Sequence, residues 1–193
     1  MRRKSFGPPA LAAGALLVAF LSGCAGSQPP VPYQRGQAIA LERWTLKVRH
    51  PEVISPSLLA GFEDFRISNE KAKVIAVHLA LEAGDSGAAE DPHAAERGFL
   101  KLMADCRLKD RDGHEYPLGL PVPNSQFGLM KSGGAISEQE VRDLMLSGSS
   151  KRLPRDWVLL FAVPKDRSGF TLLIRNRRPL EGQPPLVSVD LGR

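Results

Sequence analysis

The chain predicts an all-β fold, an antiparallel β-sandwich with one short inserted helix. Three observations predict it. Several segments alternate with period two among six strand-like runs, turn-forming dipeptides sit between runs, and one stretch alone switches to helical spacing. The 193 residues, 42% hydrophobic and 24% charged, suit one sizeable domain and are short for two. The formal charge of +5 includes Arg2, Arg3 and Lys4, which lie in a segment that reads as a removable leader, so the remainder is only about +2. That excess is too small for a nucleic-acid-binding face and fits a solvated surface of mixed charge.

The leader comes first in chain order. A basic stretch, Met1 to Phe6, precedes the twelve apolar or small residues Ala10 to Leu21, too short a run to span a bilayer as a permanent helix. Arg2-Arg3 reads as a plain basic start rather than a twin-arginine export signal. At the point of cleavage stand Leu21, Ser22, Gly23 and Cys24. This quartet after an apolar run resembles the lipobox of bacterial lipoprotein signal peptides. The resemblance implies cleavage before Cys24, a diacylglyceryl group on its sulfur and acylation of the new amino group. Several acyl chains matter because each buried methylene contributes roughly 0.8 kcal/mol and one chain alone anchors only marginally. Ala25 follows the cysteine in place of aspartate, which in two-membrane bacteria resembles the arrangement that permits transfer to the outer membrane. Residues 1–23 are thus expected to be signal peptide. The Gly-, Ser-, Gln- and Pro-rich residues 24–40 are expected to be a flexible tether, and 41–193 the domain.

Within the domain, "RWTLKVR" places Trp44, Leu46 and Val48 on one face, and "KVIAVHLALEA" places Ile75, Val77, Leu79 and Leu81 opposite Val74, Ala76, His78 and Ala80. "LKLMADCRL" reads as a third strand with Leu100, Leu102, Ala104, Cys106 and Leu108 on one side. "WVLLFAVP", "GFTLLIRN" and "LVSVDLG" supply three more. Asp112-Gly113 tolerates positive φ in a tight turn, and Pro164 followed by Ser168-Gly169 separates two later strands. Both read as hairpin connections. The helix is expected over Glu138–Ser147: Ser137 and Glu140 form a capping box, Ile136 and Val141 a staple, Val141, Leu144 and Met145 an apolar stripe, and Gly148 a stop. The stripe packs on the sandwich or faces a partner or a membrane surface.

The order of these motifs resembles the telokin-like, immunoglobulin-like domains of unassigned function found in many bacterial lipoproteins. The matching residues are Asp112, Gly113 and Tyr116, then Phe161, Val163 and Pro164, then Phe170, Thr171 and Leu172. The resemblance implies an immunoglobulin-like sandwich over about 150 residues. It carries no catalytic residues. The loop "AGDSGAAEDPHAAERG" and the helix depart from its pattern.

Chemistry finds little foothold. Asp110, Asp112 and Gly113 look like part of a calcium loop, but Leu108 and Gly119 occupy the positions of its first and last ligands, so a hairpin turn is expected. His50, His78, His93 and His114 are widely spaced and lack metal-ligand spacing; a soft-metal site using them with Met103, Met130 or Cys106 is the alternative. No Gly-x-Ser-x-Gly elbow and no glycine-rich phosphate loop occur, so neither an enzyme nor a bound cofactor is expected. Cys106 has no evident partner cysteine and reads as a small buried hydrophobe rather than a reactive thiolate.

Binding is left, by elimination: a lipid-anchored envelope protein acting as a non-enzymatic protein-binding or assembly module through loops or a sheet edge. A small-ligand or metal-binding periplasmic lipoprotein is the alternative. Contact surfaces are expected in the loop from Gly84 to Gly98 and in "YPLGLPVPNSQFGLM", with Tyr116, Phe127, Leu129 and Met130, unless those side chains turn inward.

Overall fold

Side chains that alternate in the sequence alternate between the two faces of a sheet, and the chain builds two such sheets. The computed structural model describes residues 31–42, 44–59, 71–83, 92–133 and 156–192. In chain order these form β1 (Val31–Tyr33), β2 (Ala38–Leu41), β3 (Trp44–Ile54), a 3-10 turn (Pro56–Leu59) and β4 (Ala72–Ala83). There follow α1 (Pro92–Ala104), β5 (Arg107–Lys109), β6 (Glu115–Pro117), β7 (Leu120–Pro123), α2 (Asn124–Lys131), β8 (Asp156–Pro164), β9 (Thr171–Arg175) and β10 (Leu186–Asp190). One sheet runs β1-β10-β9-β5-β6 and the other β2-β3-β4-β8-β7. All neighbours are antiparallel except β1 and β10. With β1, β2 and β6 set aside, the strands fall in the A-B-E-D and C-F-G order of the immunoglobulin sandwich.

The inner faces of the sheets meet in one core. Trp44, Leu46 and Val48 of β3, Ile75, Val77, Leu79 and Leu81 of β4, Trp157, Leu159 and Phe161 of β8, and Leu172, Ile174, Val187 and Val189 opposite them are all buried. The outer face of the second sheet is covered as well: Val74, Ala76, Val158 and Leu160 pack with Phe127 and Met130 of α2 and Leu59 of the 3-10 turn. Both faces of β4 and β8 are therefore dry, which explains the near-continuous apolar runs in their sequences.

A bulge in β3 divides these two roles. Val48 pairs with Leu79 but Pro51 with Val77, so three steps on β3 oppose two on β4. Before the extra residue the even-numbered side chains point into the core; after it Ile54 joins the outer cluster.

Three expectations are corrected. "LKLMADCRL" is not one strand: helix α1 runs through Ala104 and only Arg107–Lys109 is extended. Phe99, Leu102, Met103 and Cys106 are buried at helical spacing while Lys101 and Ala104 are exposed. The Phe99 ring lies 5.0 Å from that of Trp157 and 5.9 Å from that of Trp44, so the helix caps the open flank of the core. Pro164 to Thr171 is not a hairpin either, because β8 and β9 belong to different sheets and the connection crosses between them. Two helices, α1 and α2, occur among the described residues; Glu138–Ser147, where a helix was expected, lies outside them. The sandwich also starts at β1, within the segment 24–40 expected to be tether.

One end of the sandwich is tied by a single amide. The Gln183 Oε1 accepts from the Glu42 amide (2.7 Å), the Leu180 amide (3.1 Å) and the Asn176 Nδ2 (3.2 Å), while its Nε2 donates to the Glu42 carbonyl (2.9 Å). The β9–β10 loop is thereby fastened to the two-residue turn between β2 and β3, where Glu42 takes a φ of 50°.

Candidate functional site

At the opposite end, the β5–β6 hairpin closes on itself. Gly113 stands at φ 91°, a backbone state that glycine adopts without steric cost, and its amide donates to the Asp110 carbonyl at 3.1 Å. The buried Asp110 carboxylate accepts the His114 amide at 2.9 Å and the Tyr116 hydroxyl at 2.8 Å. The His114 Nδ1 and an Arg167 guanidinium nitrogen approach the same oxygen at 3.4 and 3.6 Å, and Arg167 also bonds Asp112. Burial pushes the Asp110 carboxyl up, but the Tyr116 and His114 hydrogen bonds and the His114 and Arg167 charges outweigh it and hold the group below its ordinary range. The Tyr116 hydroxyl is pushed up in turn, by burial and by the carboxylate it serves.

These side chains border a shallow depression of about 380 Å³ lined by Asp110, Arg111, Asp112, Asp166, Arg167 and Ser168. Ligand atoms of Asp110, Asp112 and His114 lie within 4.8 Å of one another, a spacing that could hold a cation. Arg167 already supplies positive charge to both carboxylates, and Asp110 is engaged with its own hairpin. The arrangement is a locked corner with a polar rim, consistent with the hairpin expected from Asp112-Gly113.

A second cluster was invisible in the one-dimensional spacing of the histidines. The bulge in β3 brings His50 over His78, with ring centroids 4.7 Å apart and planes 15° from parallel. The His78 Nε2 meets the Glu52 Oε1 at 2.9 Å, Lys131 of α2 donates to the Glu52 Oε2 at 2.8 Å, and the Phe127 ring stands edge-to-face with that of His78, centroids 5.5 Å apart. Partial burial raises the Glu52 carboxyl, yet the bonds from Lys131 and His78 and their charges prevail and leave it below the usual carboxylate range. This cluster fastens α2 to the outer face of the sheet. No sequence signal announces it, since it depends on strand register and on one extra residue.

The side chains expected to meet a partner divide. Phe127 and Met130 are buried under α2 and Tyr116 is half-buried on Asp110; Leu129 is exposed. Residues 92–98 of the expected loop are helical, and 84–91 lie outside the described residues. Cys106 is fully buried, its Sγ 3.9 Å from the Leu102 carbonyl, and burial together with the Asp105 charge pushes the thiol far up, so it behaves as a small hydrophobe. Cys24 lies outside the described residues. The sheet edges differ in chemistry: β1 contains Pro32, β6 Pro117 and β7 Pro121 and Pro123, whereas β2, Ala38–Leu41, contains no proline. Proline removes a ladder donor, so β2 is the edge best able to accept another strand.

No family model and no curated protein matches the chain. Among solved structures it is similar to an uncharacterized beta-sandwich protein from Clostridium difficile 630, at 9% identity and a TM-score of 0.46 over 86% of this chain and 97% of that one. On the order of its own strands, the protein is an all-β sandwich of immunoglobulin-type topology.

Proposed function

We propose that this is a lipid-anchored cell-envelope protein whose sandwich serves as a non-enzymatic protein-binding or assembly module, of the telokin-like kind that its motifs resemble. Its main support is the quartet Leu21-Ser22-Gly23-Cys24 at the end of an apolar run, with Cys24 as the acylated residue and Ala25 directing the protein to the outer membrane. The domain adds to it. Its only described thiol is buried, the carboxylates of its polar corner are bonded internally, and the proline-free edge β2 offers main-chain hydrogen bonds to an incoming strand.

Two measurements test it. A Cys24→Ser chain should lose incorporated palmitate and leave the membrane fraction, and membrane retention without label would sink the anchor. Photocrosslinking in the native cell from Ala38 or Ala40, both exposed on β2, should trap a protein partner. Adducts arising elsewhere but never from β2 would refute the edge as the contact. Small-ligand or metal binding is the second reading, favoured by the approach of Asp110, Asp112 and His114. Stoichiometric metal in the purified protein, lost on His114→Ala, would decide for it.

A further inference from the structure

Resting on the anchor at Cys24, we propose that the β9–β10 loop, residues 176–185, is a second membrane contact that docks the sandwich end-on against an anionic bilayer. Seven peptide units separate Cys24 from Val31, a reach of at most about 24 Å. Val31 pairs with Val187 and Leu186 pairs with Arg175, so the start of β1 lies one or two strand spacings from both ends of this loop. β4 runs the length of the sandwich, about 40 Å for its twelve residues. The anchor therefore holds the loop end near the lipid and leaves the Asp110–Arg167 corner remote from it.

The loop has the chemistry of an interfacial contact. Leu180, at its tip, is 57% exposed and is one of three large apolar side chains so exposed among the described residues. Arg175, Arg177 and Arg178 flank it, all exposed, against the single acid Glu181. Arg177 is held by Asp105, with a bond of 2.6 Å, whereas among the described residues no ion pair or side-chain hydrogen bond engages Arg178. An apolar tip beside arginines suits the boundary between headgroups and acyl chains, where the side chain buries and the cations meet anionic phosphates. The loop is also pre-ordered. Pro179, Pro184 and Pro185 restrict its backbone and Gln183 bonds it to the Glu42 turn, so docking costs little further ordering.

The test uses the full acylated protein in vesicles of phosphatidylglycerol and brominated phosphatidylcholine, with one variant carrying Leu180→Trp and another carrying Arg111→Trp at the far corner. Subtracting the signal of the unsubstituted protein removes the contribution of the buried Trp44 and Trp157. Quenching at position 180 should exceed that at 111 by about threefold or more, because the acyl boundary lies only about 5–10 Å deep. Adding Arg178→Glu should reduce the quenching at 180. Equal quenching at the two positions overturns the proposal. So does a blue shift at 180 that grows with protein concentration without bromine quenching, which would assign the loop to a second copy of the chain. Mass spectrometry of the chain from its own membranes tests the anchor separately. If Cys24 proves unacylated, the same comparison is made on the full chain coupled through Cys24 to a maleimide lipid, which Cys106 does not compete for because it is buried.

Discussion

Replacing Gln183 with alanine should weaken the whole domain although the side chain lies near its surface. Of the four hydrogen bonds this amide makes, the three to the Glu42 amide, the Glu42 carbonyl and Asn176 are part-buried; the fourth, to the Leu180 amide, is exposed. At about 1 kcal/mol for each part-buried bond and nothing counted for the exposed one, the loss is about 3 kcal/mol. For a domain of this size that corresponds to a fall in Tm of about 6–12 °C. Asn176 is buried and would keep an unpaired amide, which is why water cannot restore the loss. Urea unfolding should show the midpoint falling with an unchanged slope, the mark of altered stability rather than altered compactness. A double-mutant cycle with Asn176→Ala should return a coupling of about 0.5–1 kcal/mol from the shared bond. If Gln183→Ala changed stability by less than about 0.5 kcal/mol, the two loops would have to be held by other contacts, and the staple would be refuted.

Phe99→Ala should cost about 3–5 kcal/mol in the same assay, because it empties the space between Trp44 and Trp157; a cost near 1 kcal/mol would mean that α1 does not seal the core. Asp110 is held below its ordinary value of 3.8, so the unfolded chain takes up its proton first, and the stabilisation present above that pH is lost as pH falls through the folded value. Asp110→Asn should therefore lower stability at neutral pH and flatten its decline below about pH 4, read from urea midpoints across that range. Iodoacetamide should fail to modify Cys106 in the folded protein and should label it at the rate of unfolding; rapid labelling of the native state would contradict its burial.

The strands that were legible in the sequence are those whose pattern needs no partner to interpret it. β3, β9 and β10 sit where period-two alternation places them, because each has one face committed to the core, and β4 and β8 stand out as near-continuous apolar runs because both of their faces are covered. Asp112-Gly113 likewise marked its hairpin through a local backbone requirement. "FLKLMADC" carried two patterns at once, Leu100-Leu102-Ala104 with period two and Phe99-Leu102-Met103-Cys106 with helical spacing. What decides between them is the gap between two tryptophans from distant strands, a tertiary fact. The crossing from β8 to β9 and the stack of His50 on His78 escaped for the same reason: one depends on which sheet each strand joins, the other on an extra residue that only the pairing with β4 defines.

The parallel ladder of Val31–Tyr33 on Val187–Val189 has a mechanical consequence. Tension on the chain before residue 31, when directed along β1, meets a ladder whose evenly spaced, slanted hydrogen bonds run between the strands. The load is then shared by the bonds together, in shear, instead of opening them one after another as when a strand is peeled sideways. Three residues of edge strand can in this way pass a pull to β10, the second strand of a five-stranded sheet, with the bonds of the ladder loaded together at the point where the chain enters the sheet.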